Sequence, residues 1–359
     1  MTYERHSVRR MTGYTPGEQP DTLDAIKLNT NENPYPPSEA VMAALRDTPA
    51  EALRRYPSPT SATLRRIAAE AHGVAPDQIV ATNGGDELLR LAVTTFVEPG
   101  QPIGVADPSY SLYPVLAAVN GSPVVASPLD GNWRPGADFA AEMNRAGVNL
   151  TLLVNPHAPS GTLLKASEIA TIADSLNGVL LVDEAYVDFV DPELGHDAVR
   201  LVHELDNLLV LRTLSKGYSL AGLRLGYGIG SRTVIDPIAR KTRDSYSVDA
   251  VAERLAVAAL SHRTHARETW RRVREERARL SASLSHLGIE CVPSQANFVL
   301  ATVPPHFGGG AADIQQRLRE RNIYVRYFGQ PRLADCLRVS IGSPEQNDAL
   351  MTALREIVG

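Results

Sequence analysis

Short, uninterrupted apolar runs recur between residues 60 and 230, separated by helix-like stretches. The runs lie at 78–82, 102–106, 150–154, 179–182, 208–211 and 225–229. Because apolar residues do not alternate with polar ones in them, they predict strands that are buried on both faces, as in a mostly parallel sheet covered by helices. The expected fold class is therefore α/β.

The segments on either side of this pattern predict two further parts of the chain. Residues 1–40 are rich in Pro, Gly, Asn and Thr without a sustained period, which predicts an irregular N-terminal arm. Residues 41–245 are expected to form a large domain, and residues 246–359 a smaller α+β domain. The predicted elements of the small domain are a helical stretch, three strands and a final helix, at 250–287, 296–301, 323–326, 337–341 and beyond Pro344.

Composition argues against several classes of protein. The net charge is −5 and basic residues are mixed with acidic ones, as over 270–280, so no nucleic-acid surface is predicted. No segment reaches the ~18 apolar residues of a membrane helix, and the first residues lack the apolar core of a signal peptide, so a cytoplasmic location is expected. Cys291 and Cys336 have no CxxC spacing, which predicts reduced, structural cysteines and no metal site.

Polar and glycine residues follow nearly every predicted strand of the large region. These endings lie at 83–87, 107–110, 155–157, 183–186 and 213–216. In open α/β sheets, ligands bind beyond the carboxyl ends of the strands. The endings therefore predict a single site.

Lys216 is the main candidate for catalysis. A lone lysine at a strand end usually faces solvent, and its ordinary pKa of about 10.4 makes it a poor nucleophile. Burial and cationic neighbours would lower that pKa enough for a Schiff base with an aldehyde. Thr213, Ser215 and Arg224 offer the hydroxyls and guanidinium that a phosphate monoester requires. The segment predicts a lysine that binds a phosphate-bearing aldehyde.

Three further motifs extend this prediction. Asp183 ends a buried run and could cap the next turn, but opposite a pyridine ring it would keep the ring nitrogen protonated. Tyr186 could reach the phenolic oxygen of such a ring. The glycines after Asn83 open a predicted helix whose N–H groups could bind phosphate, and Tyr110 could stack on a flat ring.

With these motifs the sequence resembles the fold-type I, pyridoxal-phosphate-dependent aminotransferases, and within them the histidinol-phosphate aminotransferase family. The resemblance runs almost end to end, from 16–20 and 28–34 to 336–342. It implies pyridoxal 5′-phosphate as cofactor, Lys216 as cofactor anchor and catalytic base, and Asp183 paired with the pyridine nitrogen. Tyr186 would bond the 3′-oxygen.

The resemblance also implies the residues that bind the cofactor's phosphate and the substrate. Tyr110 would stack on the ring, and Arg338 would clamp the substrate carboxylate. Arg326 and Tyr14 would contact the distal end of the substrate. The phosphate group would be held by Gly85, Asp86, Thr213, Ser215, Arg224 and Tyr56. The last of these would come from the neighbouring subunit of a homodimer.

One position departs from the family pattern. Residues 157–161 read His-Ala-Pro-Ser-Gly where the family has Asn-Asn-Pro-Thr-Gly, so Ala158 stands where an asparagine normally donates to the 3′-oxygen. Asn155 or His157 could supply that donor instead, and Asn155 is therefore included among the expected cofactor-binding residues.

Several functions are compatible with this chemistry. The expected reaction is transamination of histidinol phosphate with 2-oxoglutarate and glutamate, in histidine biosynthesis. Transamination of an aromatic amino acid such as phenylalanine is the alternative, but Arg326 and Tyr14 favour a substrate with an anionic tail. A threonine-phosphate decarboxylase shares the scaffold. A cofactor-binding regulatory module would need a DNA-binding domain, which the acidic charge and the short arm do not suggest.

Overall fold

The computed structural model describes residues 2–20, 22 and 24–358. Over these residues the strands are β1 Ile26–Leu28, β2 Ile79–Thr82, β3 Ile103–Asp107, β4 Val124–Pro128, β5 Leu150–Val154, β6 Val179–Asp183, β7 Leu208–Thr213, β8 Gly226–Gly230, β9 Glu290–Cys291, β10 Phe298–Thr302, β11 Ile323–Tyr327 and β12 Cys336–Ser340.

The helices cover both faces of the large sheet and pack against the small one. They are α1 His6–Arg9, α2 Glu39–Arg46, α3 Ala50–Arg54, α4 Ala62–His72, α5 Gly84–Phe96, α6 Leu112–Asn120, α7 Phe139–Arg145, α8 Ala166–Ser175, α9 Arg232–Pro237, α10 Ala250–Ser261, α11 Thr264–His286, α12 Gly310–Arg319 and α13 Pro344–Val358. In the described part of the chain, no helix is both long and apolar enough to cross a membrane.

The large sheet has seven strands in the order β2-β8-β7-β6-β5-β3-β4. Strands β3 to β7 pair in parallel, and β8 is antiparallel to both of its neighbours. The prediction of a mostly parallel sheet is therefore confirmed. Strand β4 was not predicted, because it lies at the sheet edge with mostly exposed or half-buried residues and so lacks a continuous apolar run.

Successive residues of the central strands point to opposite faces of the large sheet. On β6, Leu180 and Val182 enter one apolar core, while Leu181 enters the other. Leu208 and Leu209 of β7 divide in the same way. Burial on both faces explains why these strands read as unbroken apolar runs.

The small sheet has the order β1-β11-β12-β10-β9. Strand β1 comes from the N-terminal arm and pairs in parallel with β11, with Ile26 opposite Ile323. The expectation that residues 1–40 are irregular is wrong at His6–Arg9, which form the short helix α1, and at Ile26–Leu28. A strand of 3 residues is too short for a periodic signal, and its partner lies far away along the chain. The domain boundaries at residues 40 and 245 stay predictions.

Candidate active site

A cavity of about 470 Å³ opens at the carboxyl ends of β6 and β7. The N-terminal arm, the start of α5, and strands β11 and β12 with the loop that joins them complete its walls. Most residues singled out from the sequence line it, namely Tyr14, Gly85, Asp86, Tyr110, Asp183, Tyr186, Thr213, Ser215, Lys216, Arg224, Arg326 and Arg338. Four of the five predicted strand endings thus meet at one site, and the ending at 155–157 does not line it.

Lys216 lies just beyond β7, and its Nζ donates a hydrogen bond to the carbonyl oxygen of Thr30 at 2.8 Å. Burial, with a smaller contribution from the Arg338 guanidinium, lowers the pKa of Lys216 to about 8. A substantial fraction of the amine is therefore neutral near physiological pH. A neutral amine can act as a nucleophile or as a base.

Asp183 ends β6 and is buried at the cavity wall. Burial raises the pKa of Asp183 to about 7, although hydrogen bonds from the Ala185 N–H at 3.1 Å and the Tyr113 hydroxyl at 3.2 Å favour its charged form. A cation in the cavity would stabilise the charged form of this carboxyl group. Tyr113 had no role in the sequence prediction, and its only signal is its position three residues after Tyr110.

Tyr110 and Tyr186 bring aromatic rings to the cavity from different elements. The Tyr110 ring packs edge-on against Tyr14 and Tyr113, at centroid distances of 6.1 and 5.6 Å. The Tyr186 ring packs edge-on against Phe298 at 5.0 Å. Neighbours on both elements therefore fix the rings before any ligand binds.

The start of α5 and the segment after β7 form a corner that gathers donors suited to an anion. Arg224 reaches the Asp86 carboxylate at 3.2 Å and Ser215 Oγ at 3.4 Å. Thr213 Oγ1 lies 3.0 Å from the same Ser215 hydroxyl. A Cβ on Gly84 would come within 2.8 Å of the Arg224 guanidinium. This glycine, with φ +78, keeps the corner open next to the N–H groups of the first helical turn.

Two arginines lie opposite each other on the small sheet. Arg326 of β11 and Arg338 of β12 are register partners, so their side chains project from the same face. Both guanidinium groups lie near the Phe328 ring, at 5.6 and 5.5 Å from its centroid. Within the described residues, the buried Nε of Arg338 has no hydrogen-bond acceptor. Like charges in this arrangement repel each other, so an anion in the cavity would stabilise the pair.

The structure does not bring Asn155 or His157 into the cavity, which corrects the expectation that one of them replaces the family's asparagine. The Asn155 amide accepts from the Leu164 N–H at 2.7 Å and donates to the Leu164 carbonyl at 3.2 Å. The His157 ring nitrogens bond Ser160 Oγ and the Pro108 carbonyl. Asn155 therefore stabilises its own loop and His157 links that loop to the segment after β3, while Ala158 lines the cavity.

Tyr56 lies outside the cavity of its own chain. It is 81% exposed, and its ring stacks on that of Tyr246 at 4.4 Å. Its contact with a neighbouring subunit stays a prediction.

Several cavity residues had no role in the sequence prediction. They are Asn29, Thr30, Asn31, Ser109 and Phe328. The first three belong to the asparagine-rich segment that carries part of the family resemblance, so a signal existed without a function attached to it. Among the described residues, no group of three or more acidic, histidine or cysteine side chains could hold a metal ion.

Comparison with known proteins agrees with this geometry. Residues 24–354 match the family described as aminotransferase class I and II. A histidinol-phosphate aminotransferase of Microcystis aeruginosa is 41% identical over 356 residues, which cover 99% of this chain and 98% of the relative. One from Citrifermentans bemidjiense is also 41% identical, over 98% of both chains.

A solved structure extends the agreement to three dimensions. The histidinol-phosphate aminotransferase of Sinorhizobium meliloti, solved in complex with pyridoxal 5′-phosphate, superposes with a TM-score of 0.89. It is 25% identical, and the match covers 100% of this chain and 98% of that one. With the family match spanning almost its whole length, this chain belongs to the class I and II aminotransferase family.

Proposed function

We propose that this chain is a histidinol-phosphate aminotransferase that uses pyridoxal 5′-phosphate and acts in the cytoplasm, in histidine biosynthesis. The observation that carries the proposal is the facing pair Arg326 and Arg338, which shares one cavity with Lys216. The full-length relatives with this name support the proposal. Glutamate and 2-oxoglutarate are the proposed second amino donor and acceptor.

The cavity fits pyridoxal 5′-phosphate at each of its polar ends. Asp183 would pair with the protonated ring nitrogen, and the corner formed by α5, Ser215 and Arg224 would hold the phosphate. The buried hydroxyl of Ser109, which has no partner among the described residues, also lines this cavity. When bound, the cofactor supplies an aldehyde for the amine and a ring that accepts electrons from the substrate's α-carbon.

Lys216 performs the proton transfer. Since its pKa lies near 8, Nζ can take the proton from the substrate's α-carbon and return one later in the same turnover. Asp183 provides the negative charge that keeps a positive charge at the ring nitrogen favourable. Tyr186 provides a hydroxyl on the same wall of the cavity.

The arginine pair distinguishes the two substrate classes. A phosphate ester carries close to two negative charges near neutral pH and can bond both guanidinium groups. Phenylalanine carries one carboxylate and would leave one of these cations without a partner in the site. Glutamate has two carboxylates, which makes it a suitable second substrate for the same pair. Tyr14, whose ring lies against Tyr110, closes this end of the cavity from the arm.

We also propose a homodimer. Large apolar side chains are exposed along α2 and α3 and in the segments near them. They are Met42, Leu45, Leu53, Tyr56 and Tyr246. An apolar surface of this kind typically marks a protein interface. A second copy that covers it would bring Tyr56 toward the neighbouring cavity, as the family resemblance implies.

Replacing Asp183 by Asn should make the cofactor-free protein more stable above neutral pH. The pKa of Asp183 is about 7 in the folded protein, above its ordinary value of 3.8, so the wild type loses stability as pH rises through that interval. We expect the stability advantage of the variant over the wild type to be larger at pH 8 than near pH 4.5, by on the order of 1 kcal/mol or more. Urea unfolding at both pH values measures this. Equal differences at the two values would contradict it.

Lys216→Ala should abolish transamination, with a loss of at least about 10⁴-fold in turnover, because both the base and the anchor are removed. The near-visible absorbance band of the lysine-bound cofactor should disappear with it. Lys165→Ala, which alters an exposed lysine at the start of α8, is the matched control and should keep both. Turnover close to wild type in Lys216→Ala would rule out the assignment.

Wild-type protein should show a higher kcat/KM for histidinol phosphate than for phenylalanine. Arg326→Gln should lower the first value by about 10 to 100-fold and the second far less, because it removes a charged hydrogen bond to the phosphate. Arg355→Gln, at an exposed site on α13, is the control. The reverse order of kcat/KM would favour an aromatic aminotransferase. Release of carbon dioxide without a keto acceptor would favour a decarboxylase.

A mixture of an inactive and a weakened variant tests whether each active site contains residues of both subunits. If Tyr56 serves the neighbouring subunit, Lys216→Ala and Tyr56→Ala chains refolded together restore one intact site in each hybrid dimer, and total activity should reach about a quarter of wild type. Lys216→Ala mixed with Asp183→Ala is the control and should restore nothing, because both residues belong to the same chain's site. No recovery in the first mixture would exclude the shared arrangement.

A further inference from the structure

Asn31 is a buried polar residue of the arm that contacts the active site without belonging to a regular element. It is 1% exposed and adopts φ +56, a left-handed conformation that asparagine tolerates better than most residues. Its Nδ2 donates a hydrogen bond to the Tyr186 hydroxyl at 3.1 Å. The two residues lie 155 positions apart in the chain.

Ser340, at the end of β12, fixes the direction of the Asn31 amide. Ser340 Oγ accepts the Asn31 backbone N–H at 2.9 Å and donates to Asn31 Oδ1 at 2.9 Å. Asn297 Nδ2 donates to the Asn31 carbonyl at 2.9 Å. With Oδ1 occupied by Ser340, the NH₂ group must point toward Tyr186.

This contact determines where the Tyr186 proton goes. A tyrosine hydroxyl has one proton to donate, and here its oxygen already accepts from Asn31. The ring is packed among apolar side chains, including Val154, Ala158 and Phe298, which offer no acceptor. The open side of the hydroxyl is the cavity, so its proton is directed there.

We propose that Asn31, held by Ser340, is a positioning residue that makes Tyr186 an obligate hydrogen-bond donor toward the ring oxygen of the bound cofactor. The arrangement supplies, through Tyr186, the polarity that Ala158 does not provide. The inference rests on the proposed function, because the acceptor belongs to pyridoxal 5′-phosphate.

Charged and titratable groups from several elements surround this wall of the cavity. Arg338 of β12, Asp183 of β6 and Tyr14 of the arm act on Tyr186. Arg338 also acts on Lys216, together with Glu32, Arg224 and Asp86. The variants used below alter none of these charges.

The test is a pH titration of the absorbance of the cofactor-loaded protein without substrate. Donation to the ring oxygen draws negative charge from it, so the proton shared with the Lys216 nitrogen is held less tightly. Asn31→Gly removes the amide while keeping the left-handed backbone accessible. This variant should raise the pH midpoint of the absorbance change by about half a pH unit. Ser340→Ala should shift it in the same direction by less.

A double-mutant cycle separates positioning from a structural effect. Tyr186→Phe should raise the midpoint further than Asn31→Gly does, and Asn31→Gly should add nothing in the Tyr186→Phe background. An unchanged midpoint in Asn31→Gly, or an equal shift in both backgrounds, would overturn the inference.

Two further results distinguish failure of this inference from failure of the proposed function. Failure of the wild type to bind the cofactor would overturn both proposals. A preference for phenylalanine would overturn only the proposed substrate, because no amino donor is present in the titration.

Discussion

Burial of charge at the carboxyl edge of the large sheet is the constraint on which the rest of the site depends. Asp183 has its pKa raised to about 7 and Lys216 has its pKa lowered to about 8, in both cases chiefly because the surroundings disfavour the charged form. The protein alone does not compensate either group fully. A ligand with a cationic ring nitrogen and an electrophilic carbon would do so, which supports the proposal that these residues bind the cofactor and take part in catalysis.

The N-terminal arm connects the two sheets across this site. Strand β1 joins the small sheet, and the residues directly after it reach the groups of the large one. Thr30 accepts from Lys216, and Asn31 donates to Tyr186. Asn29 accepts a hydrogen bond from Arg338 through its carbonyl oxygen. A single arm segment therefore sets the positions of the Lys216 amine, the Tyr186 phenol and the Arg338 guanidinium.

Much of the fold and site could be predicted from local sequence. Six apolar runs predicted six of the seven strands of the large sheet, and the polar residues that follow them include Asp183, Lys216 and part of the cavity wall. The prediction was wrong for the irregular arm and for Asn155 or His157 as a replacement donor. The arm contains a strand whose partner is distant in sequence. Asn155 bonds the backbone of its own loop, and His157 bonds the Pro108 carbonyl in the loop after β3.

The sequence by itself determined the fold class and the chemistry of the site, because unbroken apolar runs require burial on both faces and a lysine among hydroxyls and arginine is a local pattern. Only the tertiary structure decided how these groups work together. The facing of Arg326 and Arg338, the contact of Asn31 with Tyr186, and the link from Ser340 to Asn31, 309 residues apart, depend on pairing between distant segments. No local pattern encodes such contacts, because burial and hydrogen-bond direction are set by neighbours that arrive only when the sheets assemble.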